Sequence, residues 1–159
     1  MNPVLSFFLD LLHNYAFMSA GGAWLVAQAS KVIYETVRYG FDTKRLAGGG
    51  GMPSTHSATV TGLTVGCLLQ NSAASSEFAI ALILAMVVMY DAMGVRKETG
   101  TEAKILNRLR KRDIRDGVKP LFNKPLEEKM GHTLPEVLVG IAIGIVMGII
   151  MCRVSALIP

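Results

Sequence analysis

Cysteine is scarce in this sequence. Cys67 and Cys152 both lie inside apolar segments, far from any ligand-like spacing. That excludes a cysteine-built metal site; both read as small buried hydrophobes and say nothing about redox compartment. A cleavable signal peptide is not expected either, because residues 1–16 lack a positively charged start and carry Asp10 and His13 instead. That stretch reads as a short amphipathic or half-inserted helix. No segment is of low complexity, and no convincing internal repeat is found. Acidic residues are in the minority, with 12 Asp and Glu against 16 Lys and Arg, for a formal net charge of +4. Such a balance suits a nucleic acid or an anionic membrane surface.

What the sequence has in quantity decides between those partners. Its 159 residues are 51% hydrophobic, and the mean hydropathy of +0.41 is high for a soluble domain. Length suggests one domain. The apolar residues fall into four runs, at about 17–39, 55–71, 78–95 and 134–154. A spanning helix needs about 20 mostly apolar residues. The first run is polar for that task, with Gln28, Lys31 and Glu35, and the second is short; both suit the inner walls of a polar pocket. Gly140, Gly144 and Gly148 recur every four residues in the last run, giving one helix face that another backbone can approach closely. The predicted fold is all-α: a polytopic membrane bundle in one domain over 1–159, with about four spanning helices and a short N-terminal helix.

Residues 96–130 hold eleven of the sixteen Lys and Arg. Lys44 and Arg45 lie in the connection between the first two runs. The positive-inside rule places both connections in the cytoplasm and the uncharged-to-acidic turn 71–77 outside, together with both termini. With Ile105, Leu106 and Leu109 among its charges, 96–130 reads either as a helix lying along the inner leaflet or as a solvated charged loop. Its position between membrane segments accounts for the charge, so no nucleic-acid partner is expected.

Ionisable groups in spanning helices are expensive and mark sites. Lys31, Glu35 and Arg38 share a helical face at the cytoplasmic end of the first run. Ser54 and His56 open the second from the same side, Asp91 and Arg96 close the third there, and His132 and Glu136 open the fourth. His132 and Glu136 stand at i, i+4, where a carboxylate can reach an imidazole, fix its tautomer and stabilise its cation. Each group alone has an ordinary explanation: Lys31 could snorkel or pair with Glu35, and His132 could cap a helix. Asp91 could pair with Arg96 or Lys31, or join Glu136 at a metal.

Beside them runs Gly48-Gly49-Gly50-Gly51-Met52-Pro53-Ser54-Thr55-His56. Glycines let backbone N–H groups crowd around an anion, proline suits the first helical position, and the helix N-terminus adds partial positive charge. The order suits a phosphate.

These motifs resemble the type 2 phosphatidic acid phosphatases and their vanadium haloperoxidase relatives. Lys31 and Arg38 keep the spacing of the first signature, with Tyr39 in place of proline. Pro53-Ser54-Thr55-His56 resembles Pro-Ser-Gly-His. His132 and Glu136 resemble the end of the third signature, whose Ser-Arg pair is replaced by Pro125 and Leu126. The closest likeness is to the divergent branch of this superfamily, through Gly-Gly-Met-Pro-Ser-x-His, Tyr-Asp-x-x-Gly-Val-Arg and Gly-His-Thr-x-x-Glu-Val, and it extends from Lys31 to Gly144.

The resemblance implies a lipid phosphate phosphatase without metal or other cofactor. His132 would be the nucleophile, forming a phosphohistidine, with Glu136 orienting it. His56 would protonate the leaving alkoxide and then activate water. Lys31, Arg38 and Arg96 would hold phosphate oxygens, Arg96 standing in for the missing arginine, with Ser54 and the Gly50 and Gly51 amides adding hydrogen bonds. Four spans are fewer than the six usual in membrane members, so a homodimer could complete the pocket. The expected setting is the plasma membrane of a bacterium, with the site facing the cytoplasm. Phosphatidic acid, phosphatidylglycerol phosphate and isoprenoid phosphates or diphosphates all qualify as substrates. A non-catalytic lipid-phosphate-binding protein and a small transporter component are the competing readings.

Overall fold

The structure, a computed structural model, describes residues 2–40 and 50–155, and these are helical with no strand. Lys44, Arg45, Gly48 and Gly49 therefore lie outside the described residues. The chain runs α1 (Pro3–Leu12), α2 (Tyr15–Tyr39), α3 (Thr55–Gln70), α4 (Ser76–Met93), α5 (Val95–Arg115) and α6 (Leu134–Ser155). Asparagine or serine caps open the first four, the side chains of Asn2, Asn14, Ser54 and Ser75 each accepting from a backbone N–H of the first turn.

The central layer is α3, packed between α2 and α6 and flanked by α4. Small residues make this possible. A Cβ on Gly144 would lie 2.6 Å from the Ala58 carbonyl oxygen, and one on Gly140 2.5 Å from that of Ser54. A Cβ on Gly148 would meet the Val65 side chain at 2.5 Å, and one on Gly62 the Ser19 carbonyl oxygen at 2.7 Å. The glycine face expected on the last run is thus the surface on which α6 meets α3. Polar side chains tie the helices further: Thr64 Oγ1 donates to the Ala81 carbonyl of α4 at 3.1 Å, and Thr55 Oγ1 to Gln28 Oε1 of α2 at 3.2 Å.

The core is built mainly of alanine, with Cys67 buried and Cys152 half-buried. Large apolar side chains point outward instead, among them Trp24, Leu25, Ile80, Ile83, Met86, Ile145 and Ile149. This arrangement suits a lipid solvent, in which close packing of small residues rather than burial of large ones joins helices. Among the described residues, two helical stretches are long and apolar enough to cross a bilayer, one within Ser76–Arg115 and the other Leu134–Val154. The expected four-span count is established only that far. At about 1.5 Å per residue the 16 residues of α3 reach only about 24 Å, and α2 carries Gln28, Lys31, Glu35 and Arg38 along its second half.

The basic connection resolves into two parts. α4 breaks at Gly94, and α5 continues as a 21-residue helix. Residues 118–132 then return along α5 without helix. Asn107 fastens that return, donating to the Leu126 carbonyl (2.9 Å) and to Glu128 Oε1 (2.8 Å) and accepting from Leu126 N (2.9 Å). Arg110 donates to the Phe122 and Asn123 carbonyls. The segment ends against α4, where His132 N donates to the Ala92 carbonyl at 2.9 Å.

Candidate active site

Four chain regions meet at one end of the bundle. Ser54 caps α3, its Oγ accepting from Ser57 N at 3.3 Å and from Ser57 Oγ at 2.9 Å. Pro53 accordingly precedes the cap, two positions before the first helical residue Thr55 and not at it, because the serine hydroxyl satisfies the first-turn N–H. Ser54 N donates to the Glu136 carbonyl at 3.0 Å, which locks the start of α3 to the start of α6. Ser54 is fully buried with its hydroxyl used within the cap, so it shapes the site instead of facing a phosphate.

His56 follows on the first turn of α3, exposed, and its ring lies beside that of His132, tilted by 59° with 6.5 Å between centroids. His132 is buried, 4% exposed. Its Nδ1 lies 3.2 Å from Glu136 Oε2, and that oxygen also accepts from Thr133 N at 2.9 Å. Glu136 thereby closes the first turn of α6 as the acid of a capping box and holds the imidazole at once. A carboxylate on Nδ1 favours the tautomer with Nε2 unprotonated, leaving a lone pair for the pocket. Burial pushes the His132 pKa below the ordinary histidine value; Glu136 opposes that shift, while Lys31 and His56 add to it.

A narrow pocket beside the two imidazoles is lined by His56, His132, Val88, Ala92, Asp91 and Arg96. Asp91 is paired with Arg96, Oδ2 to Nε at 2.5 Å, with both side chains partly exposed. This favours the ion-pair reading of Asp91 over a shared metal with Glu136, which is occupied by His132 and Thr133.

The glycine loop ends on the other side of His132. Gly51 adopts φ +105°, and a Cβ there would lie 2.6 Å from Glu35 Oε1 and 3.3 Å from Lys31 Cε. Only glycine lets the loop settle on these two buried side chains. Gly50 lies against the Lys129 and Gly131 carbonyls. Lys31 and Glu35 are 6% and 4% exposed. Glu35 pairs with Lys129, Oε1 to Nζ at 2.7 Å, and Lys31 is within electrostatic reach of Lys129, Glu35 and Glu136.

The structure thus brings together His56, His132, Glu136, Asp91 and Arg96, with Lys31, Gly50 and Gly51 adjoining. Arg38 is not brought in. It is exposed beyond the packed part of α2, donates to Tyr34 Oη at 2.6 Å and lies against the Tyr34 and Tyr39 rings. Lys129 escaped selection in the sequence, where it is one of eleven cations in the basic stretch. The available signal was its place three residues before His132, inside the region that replaces the missing Ser-Arg pair.

Residues 12–147 match a family described as the divergent PAP2 family. The chain is also similar to the uncharacterized membrane protein YuiD of Bacillus subtilis (strain 168), 35% identical over 142 residues, which cover 83% of this chain and 90% of that protein. No solved structure matches.

Proposed function

This chain belongs to the divergent PAP2 family, and from that premise we propose that it is a membrane lipid phosphate phosphatase acting through a phosphohistidine. The observation that carries the reading is the neighbouring rings of His56 and His132, their centroids 6.5 Å apart, with Glu136 on the Nδ1 side of His132. A phosphorus atom placed between the rings is within reach of a nucleophile on one side and a proton donor on the other.

In the first step the Nε2 lone pair of His132 attacks phosphorus, an N–P bond forms and the P–O bond to the lipid breaks. The departing alkoxide takes a proton from His56, while Glu136 supports the cationic ring. In the second step His56 accepts a proton from water as its oxygen attacks phosphorus; the N–P bond breaks and its electron pair returns to Nε2. Charge on the phosphoryl oxygens is what most needs stabilising; Arg96 lines the pocket beside the imidazoles, while Lys31 and the Gly50 and Gly51 amides would act from the far side of His132. The steps draw on no metal or cofactor.

The same proposal places four spans in a plasma membrane with this end of the bundle at the cytoplasmic surface, where lipid monophosphates and diphosphates are presented. A second copy of the chain would shield the open side of the bundle. The test is phosphate release by pure protein from phosphatidic acid, phosphatidylglycerol phosphate, and an isoprenoid phosphate and diphosphate. At least one is hydrolysed, His56→Ala slows it by about 10²–10⁴, and His132→Ala slows it further. Hydrolysis of none, or variants as fast as the wild type, would remove the reading.

A lipid-phosphate-binding protein without turnover is the second reading. The outward Arg38 and the absence of the Ser-Arg pair favour it, since both thin the ring of cations. Tight vanadate binding with no product release would select it. A transport pathway is less well supported, because Lys31, Asp91 and Glu136 all lie at one end of the bundle and none lines a route through it.

A further inference from the structure

On the far side of His132 from Val88 and Asp91, an open cleft of about 240 Å³ is lined by Lys97 and Lys104 of α5, by Lys129, and by Gly51, Gly100 and Gly131. His132 and Glu136 form its inner wall. The catalytic reading uses none of its lysines. Lys97 and Lys104 are two helical turns apart, so they project on the same side of α5. The glycines bring backbone to the surface of the cleft. A Cβ on Gly100 would lie 2.9 Å from the Glu128 carbonyl oxygen, and one on Gly131 2.5 Å from Lys97 N.

Three ammonium groups, Lys97, Lys104 and Lys129, and two carboxylates, Glu128 and Glu136, line this cleft. Both carboxylates of the lining are engaged, Glu128 by Asn107 and Glu136 by His132 and Thr133. Lys129 is held by Glu35. Among the described residues, Lys97 and Lys104 pair with no carboxylate. Two exposed ammonium groups without an ion-pair partner, on a cleft that shares its wall with the nucleophile, can take a compact anion. The glycine loop opens here, too: Gly51 lines this cleft and not the pocket between the histidines.

We propose that this cleft is a second phosphate-binding subsite, adjoining the position of the transferred phosphoryl group across His132, with Lys97 and Lys104 as its ligands. The proposal rests on the phosphatase reading for its place in a reaction, but not for its chemistry. The bound group is a tetrahedral phosphate oxyanion, either the second phosphate of a lipid diphosphate or inorganic phosphate on its way out.

Calorimetric titration of the purified full-length protein in detergent with inorganic phosphate and inorganic diphosphate tests it. In Lys97→Ala/Lys104→Ala the affinity for at least one of these ions falls about tenfold, about 1.4 kcal/mol; each single variant loses part of it, and Lys97→Arg/Lys104→Arg restores most of it. Both lysines are exposed, so the fold tolerates these changes. Loss confined to diphosphate identifies the second phosphate of a substrate; equal loss for both ions identifies released phosphate. Affinities unchanged in the double variant, or no binding of either ion by the wild type, overturn the proposal. A wild type that binds through these lysines yet hydrolyses no lipid phosphate would leave the subsite standing and remove the phosphatase reading.

Discussion

At the scale of single residues, protonation is the sharpest handle. His132 must be neutral to attack, and burial holds its pKa below the ordinary histidine value. A histidine depressed in the fold contributes stability that is complete above the unfolded value and lost as pH falls through the folded one. Activity should therefore persist below the ordinary histidine value and fall only at the depressed one, whereas the His132 contribution to thermal stability declines as pH falls from the ordinary value to the folded one. Glu136→Gln withdraws the influence that raises this pKa, so the acidic limb of the rate profile moves to lower pH while the plateau drops. A limb that stays in place would separate Glu136 from the nucleophile. Glu35 gives a second test. Truncating Lys129 leaves the buried Glu35 carboxylate without its hydrogen-bonded cation, which costs more than removing both. Lys129→Ala should lower the melting temperature more than Glu35→Ala/Lys129→Ala does, with a coupling of about 1–3 kcal/mol in a double-mutant cycle. The contact of His132 with Glu136 was legible in the sequence because only four residues separate them, although His132 lies just before α6 and not on it. The Glu35–Lys129 pair was not, because it joins residues 94 positions apart and depends on the path of a non-helical return.

At the scale of elements, the repeat of Gly140, Gly144 and Gly148 stated its purpose in advance, since period-four small residues have one geometric use. Gly144→Val forces α6 away from Ala58 and Thr61 of α3 and should lower stability by about 1–3 kcal/mol, the usual cost of overpacking. Gly21→Ala, where a Cβ meets nothing within 4 Å, should be neutral or slightly stabilising in thermal unfolding. Equal losses for the two would show that α3 and α6 do not pack as described. The basic stretch was legible only in part. Its helical portion follows from Ile105, Leu106 and Leu109 set among charges. Its return over 118–132 depends on Asn107, whose capacity to bind backbone on both its oxygen and its nitrogen is no pattern of sequence. The reach of Arg38 was misjudged for a related reason: helical spacing put it in line with Lys31, but the bundle no longer covers α2 at that level and Tyr34 takes the guanidinium.

At the scale of the whole molecule, the outward large apolar side chains and alanine-built interior agree with a bundle in lipid, while every ionisable group of the site gathers at one end. Single cysteines in a Cys67→Ala/Cys152→Ala background report orientation in sealed vesicles. Leu121→Cys, in the basic return, should label only from the cytoplasmic side, and Ala73→Cys only from outside. Labelling of both from the same side would break the four-span arrangement.

The central claim is that imidazoles from two distant parts of the chain act on one phosphorus atom, and trapping the intermediate tests it most directly. With a phosphate-labelled lipid substrate, quenched samples should carry acid-labile, base-stable label on His132. The label should build up in His56→Ala, where its hydrolysis is slowed, and be absent from His132→Ala. Turnover by the wild type with no labelled protein, or label that persists in His132→Ala, would contradict the account.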